Sequence, residues 1–135
     1  MDRYMRILSA SFDGSALPLP IEARLTRRAE PLPAAGDGDS FPSSVQLETP
    51  RTIVEVRIRG TKTAEGLSIG AAGELSLTVA AANSQAAARR ITISRAVLAA
   101  VELAYEQTAT ATARLRFVAE SIDGAAAPFV AEDVQ

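Results

Sequence analysis

The chain has 135 residues, enough for one domain with a sizeable core. It carries 14 basic and 16 acidic residues, a formal net charge of -2, which gives no general attraction for nucleic acid or anionic membranes. Cys and His are both absent, which excludes disulfides, thiolate chemistry and the commonest general base and metal ligand. Because the sequence has no long apolar run and no apolar signal-peptide core at its start, we expect a soluble protein made in a cytoplasm.

The first elements predicted are two strands. Residues 4–12 form an apolar-rich run that ends at Asp13 and Gly14, a strong turn signal because Gly accepts positive φ. Residues 21–25 then alternate between apolar and polar and end at the basic pair Arg27 and Arg28. The apolar run predicts a first strand at residues 4–12. The alternation predicts a second, half-buried strand at residues 21–25.

Residues 30–44 form the one clearly irregular segment, within a predicted loop at about residues 30–50. Prolines, glycines and serines dominate it, and a connection of this length is usually functional or mobile. We expect it to contact a partner, although a simple floppy connection is the alternative. The candidate contact residues are Pro31, Asp37, Asp39, Phe41 and Pro42.

The strongest strand of the middle region follows Pro50, after a short strand at residues 45–47. In residues 52–60 the apolar side chains of Val54, Val56 and Ile58 fall on one face. The opposite face carries Ile53, Glu55, Arg57 and Arg59. Residues 61–73 are predicted as a connection with Leu67 and Ile69 against the core, and residues 74–79 as the next strand, with Leu75, Leu77 and Val79 inward.

Residues 90–106 are ambiguous between strand and helix, whereas residues 80–88 indicate a turn or a short helix. Ala, Leu and Glu in residues 94–107 favour a helix capped by Ser94. The alternation of Val97, Val101, Leu103 and Tyr105 favours a strand. Because the following residues form a strong strand, we favour a long antiparallel hairpin that turns near residues 106–108.

Residues 109–119 show the longest alternation, with small and apolar side chains on one face and Arg114 and Arg116 on the other. Such a run makes roughly 35 Å of strand at about 3.3 Å per residue. A second turn signal follows at Asp123 and Gly124. We therefore predict an all-β fold, an antiparallel β-sandwich or barrel with long hairpins, in one domain spanning residues 1–135.

Arginine dominates the positive charge, since 13 of the 14 basic residues are Arg. Arg makes bidentate contacts with carboxylates and is enriched at interfaces. Four of these residues lie on the outer faces of the two best strands and are our subunit-interface candidates: Arg57, Arg59, Arg114 and Arg116. The alternative is that they only blunt exposed sheet edges.

No motif in the sequence indicates catalysis, a metal or a cofactor. Asp37-Gly38-Asp39 lacks the further ligands of a calcium loop, and residues 70–73 lack the Lys of a phosphate-binding loop. Ser nucleophiles have no His partner, and Lys62 is the only Lys. We therefore predict no catalytic residues, no metal, no cofactor and no enzymatic activity.

The second half of the chain resembles the tail tube proteins of tailed bacteriophages. The resemblance rests on the strand patterns at residues 52–60, 73–79, 91–98 and 112–124, the last followed by Pro128. It implies a β-sandwich or barrel protomer that forms rings, with six-fold symmetry, whose hairpins join into an inner barrel. It also implies that rings stack into a tube through which DNA passes, and that the segment at residues 31–50 reaches the adjacent ring.

On this resemblance we expect a virion structural protein whose partners are itself, other tail proteins and, transiently, DNA in the lumen. Because inward Arg would attract phosphate, we expect Glu55, Glu74 or Glu102 at the lumen and the Arg-bearing face elsewhere. The alternatives are a head decoration, tail terminator or baseplate protein, which reuse such folds. A carbohydrate-binding or adhesive module is a further alternative, although the chain has no Trp and only two Tyr.

Overall fold

The structure is a computed structural model, and it describes residues 4–29, 31–36, 38, 40–41, 44–47, 49–81, 88–121 and 128–134. Ten strands and one short helix follow one another along this part of the chain. Their bounds are β1 Tyr4–Phe12, β2 Ser15–Ala16, β3 Pro20–Arg28, β4 Pro31–Ala34, β5 Ser44–Leu47, β6 Arg51–Arg59, α1 Lys62–Glu65, β7 Ala72–Ala81, β8 Ala88–Ala104, β9 Thr112–Ala119 and β10 Phe129–Val134. The predicted all-β, antiparallel fold with long hairpins is confirmed.

Eight of the strands form one continuous open sheet in the order β2-β1-β7-β8-β9-β6-β3, with β10 also paired to β8. All the strand pairs are antiparallel. The remaining two strands, β4 and β5, pair with each other as a separate two-stranded sheet.

The 17-residue strand β8 lies at the centre of this order and pairs with three strands. Its first part, up to Ile93, pairs with β7 on one side and β10 on the other, whereas its last part, from Ala96 to Ala104, pairs with β9. The β10 pairing is reinforced by charge, since Arg89 lies 2.9 Å from Asp133 and Arg90 lies 3.9 Å from Glu132. The hairpin β8–β9 is therefore the predicted one, and the helix alternative for residues 94–107 is wrong.

The sheet is strongly curved, because side chains from distant strands meet in the core. Phe12 of β1 and Phe117 of β9 pack with ring centroids 4.8 Å apart. In a flat sheet, strands three places apart in the order lie about 14 Å from each other, at roughly 4.8 Å per strand. The two ends of the sheet thus face one another across a shared apolar interior.

The core is formed mainly by the predicted inward faces of β6, β7 and β9. The side chains with almost no exposed area are Phe117, Ile58, Leu75, Ile93, Leu98, Leu115, Val54 and Val56. Each such side chain contributes about 1.5–3 kcal/mol relative to an exposed position. Small residues such as Ala96 and Ala113 lie between them and are also buried, which allows the facing strands to approach closely.

A β-bulge in β8 explains one error in the predicted alternation. The register with β9 shifts between Leu98 and Ala100, so the extra residue reverses which face the following side chains occupy. Val97 is paired with the outward Val118, whereas Val101 is paired with the buried Leu115. Val97 and Val101 therefore lie on opposite faces, not on the common face that the sequence predicted.

Three other predictions about local structure need correction. The segment predicted as an irregular loop contains strand β4, which pairs with β5, the short strand predicted at residues 45–47. The strand predicted from residue 109 begins only at Thr112. In the connection after β6, Leu67 packs against the core but Ile69 is 62% exposed. The short helix α1 also lies in this connection, where no helix was predicted. Asp123 and Gly124, the second predicted turn, lie outside the described residues.

The first predicted turn is present and approaches a second element closely. Asp13 and Gly14 both have positive φ, 52° and 80°, and connect β1 to β2. The Asp13 N–H donates to the Glu74 carbonyl oxygen over 2.9 Å. Only a glycine fits opposite, because a Cβ on Gly73 would lie 2.6 Å from the Asp13 Cβ.

Candidate functional site: an arginine-bearing sheet face and a projecting arm

One face of the sheet is crowded with arginine, on the outward side of β3, β6, β9 and the last part of β8. Because residues 52, 54, 56 and 58 of β6 are buried, its odd-numbered side chains point outward. Their cross-strand partners point to the same side. We call this surface the arginine face, and its charged residues are Glu22, Arg24, Arg28, Arg51, Glu55, Arg57, Arg59, Glu102, Arg114 and Arg116.

The arginine face holds all four predicted subunit-interface residues together with two of the three predicted lumen residues. Glu55 is the cross-strand partner of Arg116, and Glu102 is the partner of Arg114. Arg57 is also the partner of Arg114. Glu55 and Glu102 therefore share a face with the arginines, since residues two apart on a strand point to the same side. The assignment of a lumen surface stays a prediction.

The third predicted lumen residue, Glu74, lies apart from this surface. It is on β7, which the order of the sheet separates from β6 by two strands. Its side chain is exposed, and its carbonyl oxygen accepts the Asp13 N–H. Among the three glutamates, Glu74 alone is on a different part of the sheet from the arginines.

Ion pairs neutralise only part of the arginine face. Glu22 lies 3.3 Å from Arg24 and 3.6 Å from Arg57. The Nε of Arg57 is buried and has no hydrogen-bond partner among the described residues, an arrangement that costs about 1–3 kcal/mol. Within the described part of the chain, Arg51, Arg59, Arg114 and Arg116 form no ion pair.

A cavity of about 200 Å³ opens at one end of the arginine face. Arg28, Arg51 and Arg116 surround it, and Ile53 forms its apolar part. Arg28 and Arg51 are direct cross-strand partners, and like charges in this position destabilise a sheet. We call these three arginines and Ile53 the arginine cluster, an arrangement suited to a carboxylate beside an apolar side chain.

A second cavity, of about 340 Å³, lies at the other end of the same face. Its charged lining is mixed, because Arg57 and Arg114 are accompanied by Glu102 and Glu106. The positive electrostatic potential is consequently weaker there than at the arginine cluster. This end of the face is therefore less suited to binding an anionic group.

The hairpin β4–β5 extends from the end of β3 and β6 next to the arginine cluster. It begins three residues after Arg28 and ends four residues before Arg51. Pro31 is exposed, Phe41 is 80% exposed and Val45 is 57% exposed. Asp37, Asp39 and Pro42, the other predicted contact residues, lie outside the described residues. We call this hairpin, residues 31–47, the arm.

Sequence reasoning missed a cleft of about 650 Å³ between β1 and β3. Ile7, Leu19, Ile21 and Val79 contribute to its largely apolar lining. No local sequence signal marks this cleft, because it depends on how closely the curved sheet brings its first and last strands together. Leu19, which directly precedes β3, is 61% exposed in this cleft. The alternation of apolar and polar residues in β3 does not predict that Leu19 lines a cleft.

The described residues offer no site for a metal ion built from three or more His, Cys, Asp or Glu side chains. No helix in the described part of the chain is long and apolar enough to cross a membrane.

The fold is similar to that of chains in solved structures of an extracellular contractile injection system and of a prophage cap. A chain in the cryo-EM structure of the PVC sheath/tube terminator, in the extended state of that extracellular contractile injection system, superposes with a TM-score of 0.60. The two chains are 7% identical, and the match covers 94% of this chain and 93% of that one. At this low sequence identity, the similarity between the two chains is one of fold.

Two further structures agree with this. A chain in the cryo-EM structure of the anti-feeding prophage tube-terminating cap gives a TM-score of 0.56 at 6% identity, over 99% of this chain and 95% of that chain. A chain in the PVC sheath-tube complex gives 0.53 at 11% identity, over 96% and 89%. No protein-family model and no curated protein matches the sequence.

Proposed function

We propose that this chain is a non-enzymatic structural subunit of a phage-tail-like particle and that it forms a ring at the end of the tube. The observation that carries the proposal is the shared fold over nearly the whole of both chains with structures of a terminator and a cap.

The surfaces described above support assembly into a ring. The arginine face carries exposed Arg59, Arg114 and Arg116 without ion pairs in the described part of the chain, and Arg is the charged residue most enriched at interfaces. We assign these residues and Arg57 to contacts with neighbouring subunits or other tail proteins. Glu74, which lies apart from them, remains our candidate for a lumen surface.

A subunit of the tube body is the second candidate, and the likeness to a chain of the PVC sheath-tube complex favours it. The two candidates differ in how rings behave. A terminating ring has one face that stacks on the tube, whereas a tube subunit stacks through both faces and propagates as an open filament.

Negative-stain electron microscopy and light scattering of the purified full chain over a range of concentrations test the proposal. For a terminating ring we expect single rings whose mass stops increasing with concentration. Hollow tubes that lengthen with concentration would instead support the tube-body candidate. A monomer at every concentration would contradict both, because neither role is possible without self-association.

A further inference from the structure

The apolar cleft lies where the curved sheet almost closes on itself, between β1 and β3. Near the first turn the two segments are still hydrogen-bonded, since the Leu17 N–H donates to the Ala10 carbonyl oxygen over 2.9 Å. Beyond that bond they separate at Pro18 and Pro20, whose rings hold φ near about -65° and so interrupt regular strand geometry. Within the described part of the chain β1 and β3 form no ladder with each other, and the cleft of about 650 Å³ opens between them.

Two β-bulges flank the cleft, one in each strand. The extra residue in β1 is Leu8, which has no cross-strand partner on β7, and in β3 it is Ile21, which has none on β6. Their side chains are 46% and 39% exposed. Strands that are only protected against pairing carry charge or Pro at such places, whereas both bulge residues here are large and apolar. Bulges also occur next to active sites, where they end pairing or re-aim a side chain.

The floor of the cleft is formed by residues that face the core. Val79 lies two residues from buried Leu77, and Ile91 is the cross-strand partner of Leu77, so both side chains point inward. Ile7 is the cross-strand partner of Val79 on the same side. All three line the cleft and are only half-buried. An occupant that covered them would extend the apolar core across the gap.

The backbone on one side of the cleft also lacks a partner. Among the described strands, β3 is the last in the order of the sheet and pairs only with β6. The hydrogen-bonding groups of alternate residues in an antiparallel strand point to opposite edges, so those on the outer edge of residues 21–25 meet no described strand. Such an edge is a template for an extended segment of another chain. The apolar floor adds a requirement for apolar side chains at every second position of that segment.

Charges at the rim of the cleft specify one further property of the occupant. Glu22, on the β3 side, already lies 3.3 Å from Arg24 and 3.6 Å from Arg57. Arg6, on the β1 side, is exposed and has no ion pair in the described part of the chain. The rim is therefore complementary to a segment that carries a carboxylate close to Arg6.

A second copy of this chain offers no suitable segment in the part that the structure describes. Each strand of the main sheet is already held by at least one neighbour, and β4 and β5 pair with each other. A strand of that sheet could reach β3 inside the cleft only by bringing its own neighbouring strand against β1. A segment without a sheet of its own avoids this obstruction.

We propose that the cleft receives an extended segment of a different protein, which pairs with the outer edge of β3. The segment buries alternate apolar side chains on Ile7, Val79 and Ile91 and places a carboxylate near Arg6. The inference goes beyond the proposed function, because it assigns a partner to the single protomer and does not require a ring.

A designed peptide tests the cleft. The probe is a fluorescein-labelled peptide with the length of β3, nine residues, in which valine alternates with threonine and one threonine is replaced by glutamate. We expect saturable binding to the full chain, measured by fluorescence anisotropy. A peptide of the same composition with consecutive valines, and one with proline in place of the central valine, should each bind at least about tenfold more weakly. The first lacks the alternation, and the second lacks a backbone donor.

Matched substitutions in the chain locate the binding. Leu19→Asp places a carboxylate in the cleft, whereas Ile69→Asp adds the same charge outside its lining, at a residue of nearly equal exposure, 62% against 61%. We expect Leu19→Asp to weaken peptide binding at least about tenfold and Ile69→Asp less than about twofold. Leu19→Ser, with an unchanged circular dichroism melt, covers the case in which the new charge disturbs folding, and it should weaken binding about threefold.

Two further measurements examine the charge and the backbone pairing. Arg6→Gln should weaken binding of the glutamate peptide about threefold and leave binding of its glutamine counterpart unchanged, because only the first has a carboxylate to pair. Amide hydrogens on the outer edge of β3 should exchange at least about tenfold more slowly with peptide bound, while those of β9 keep their rates.

Four outcomes overturn the inference. They are the absence of saturable peptide binding, equal binding of the alternating and consecutive-valine peptides, equal losses in Leu19→Asp and Ile69→Asp, and unchanged amide exchange in β3. Loss of self-association in Leu19→Asp, with no peptide binding to the unmodified chain, would show that a second copy covers the cleft instead. The first four outcomes leave the proposed function standing, since only a chain that stays monomeric in microscopy and light scattering contradicts it.

Discussion

The sheet and the arm are built on opposite principles, although both consist of antiparallel strands. In the sheet, every second side chain of β6 and β9 is buried, so hydrogen bonds between strands and apolar packing support each other. The arm has the hydrogen bonds of a hairpin but its described side chains are exposed. The sheet therefore gains stability from its own apolar packing, whereas the described side chains of the arm contribute little of it.

The largest expected effect is in the sheet. Phe117→Ala removes a fully buried ring and its contact with Phe12, so we expect the free energy of unfolding to fall by about 3–5 kcal/mol. Urea denaturation followed by circular dichroism measures it. Phe41→Ala in the arm is the matched control, for which we expect less than about 0.5 kcal/mol. Similar losses for the two variants would abolish the distinction between sheet and arm.

The next effect concerns the contact between the first turn and β7. Gly73→Ala places a Cβ 2.6 Å from the Asp13 Cβ, and overpacking of this kind costs about 1–3 kcal/mol. Thermal denaturation gives the measurement. Gly66→Ala is the control, because its Cβ would meet only the Thr63 carbonyl oxygen at 3.6 Å. We expect Gly66→Ala to change stability by less than about 0.5 kcal/mol, since its φ of -84° suits alanine.

Removing the arm sharpens the comparison further. In this variant, residues 32–46 are replaced by a short Gly/Ser linker. We expect its free energy of unfolding to stay within about 0.5–1 kcal/mol of that of the full chain, because closure entropy depends only weakly on loop length. The described side chains of the arm are also exposed, so their removal loses little apolar packing. Self-association of the same variant should fall at least about tenfold, because residues 31–47 belong to the segment predicted to contact a partner. A collapse of stability would show instead that the arm belongs to the folded core.

The smallest effect is expected at a polar contact on the surface. The Tyr105 hydroxyl donates to Glu65 over 3.2 Å, which connects the end of β8 to α1. Because Tyr105 is 65% exposed, Tyr105→Phe should cost at most about 0.5 kcal/mol. A thermal melt in low and high salt measures it. A loss of stability comparable to that of Gly73→Ala would mean that this contact stabilises the fold more than an exposed hydrogen bond does.

The sequence predicted the strands whose two faces differ, and it failed where another signal interrupts the alternation. β6 was found because buried Val54 and Val56 alternate with charged residues. In β8 the bulge near Ala99 breaks the period of two, and its Ala, Leu and Glu residues imitate a helix. Strand β4 of the arm was missed because its two prolines conceal a strand pattern, whereas β5 corresponds to the short strand predicted at residues 45–47.

The candidate site could be predicted only in part for a related reason. Alternation placed Arg57, Arg59, Arg114 and Arg116 outward, which the structure confirms. The arginine cluster needs the register between β3 and β6, because that register alone brings Arg28 opposite Arg51. A signal was present nevertheless: Arg28 and Arg51 are the first basic residues on either side of a segment that has none.

Strand β8 has a consequence for how the molecule unfolds. A single 17-residue strand supplies hydrogen bonds to β7, β10 and β9. Because both halves of the sheet share this strand, unfolding of one half removes hydrogen-bond partners from the other. Cooperative units of unfolding follow such shared elements. We therefore expect the amide hydrogens on both sides of the bulge to exchange with one common opening free energy, while those of the arm exchange much earlier.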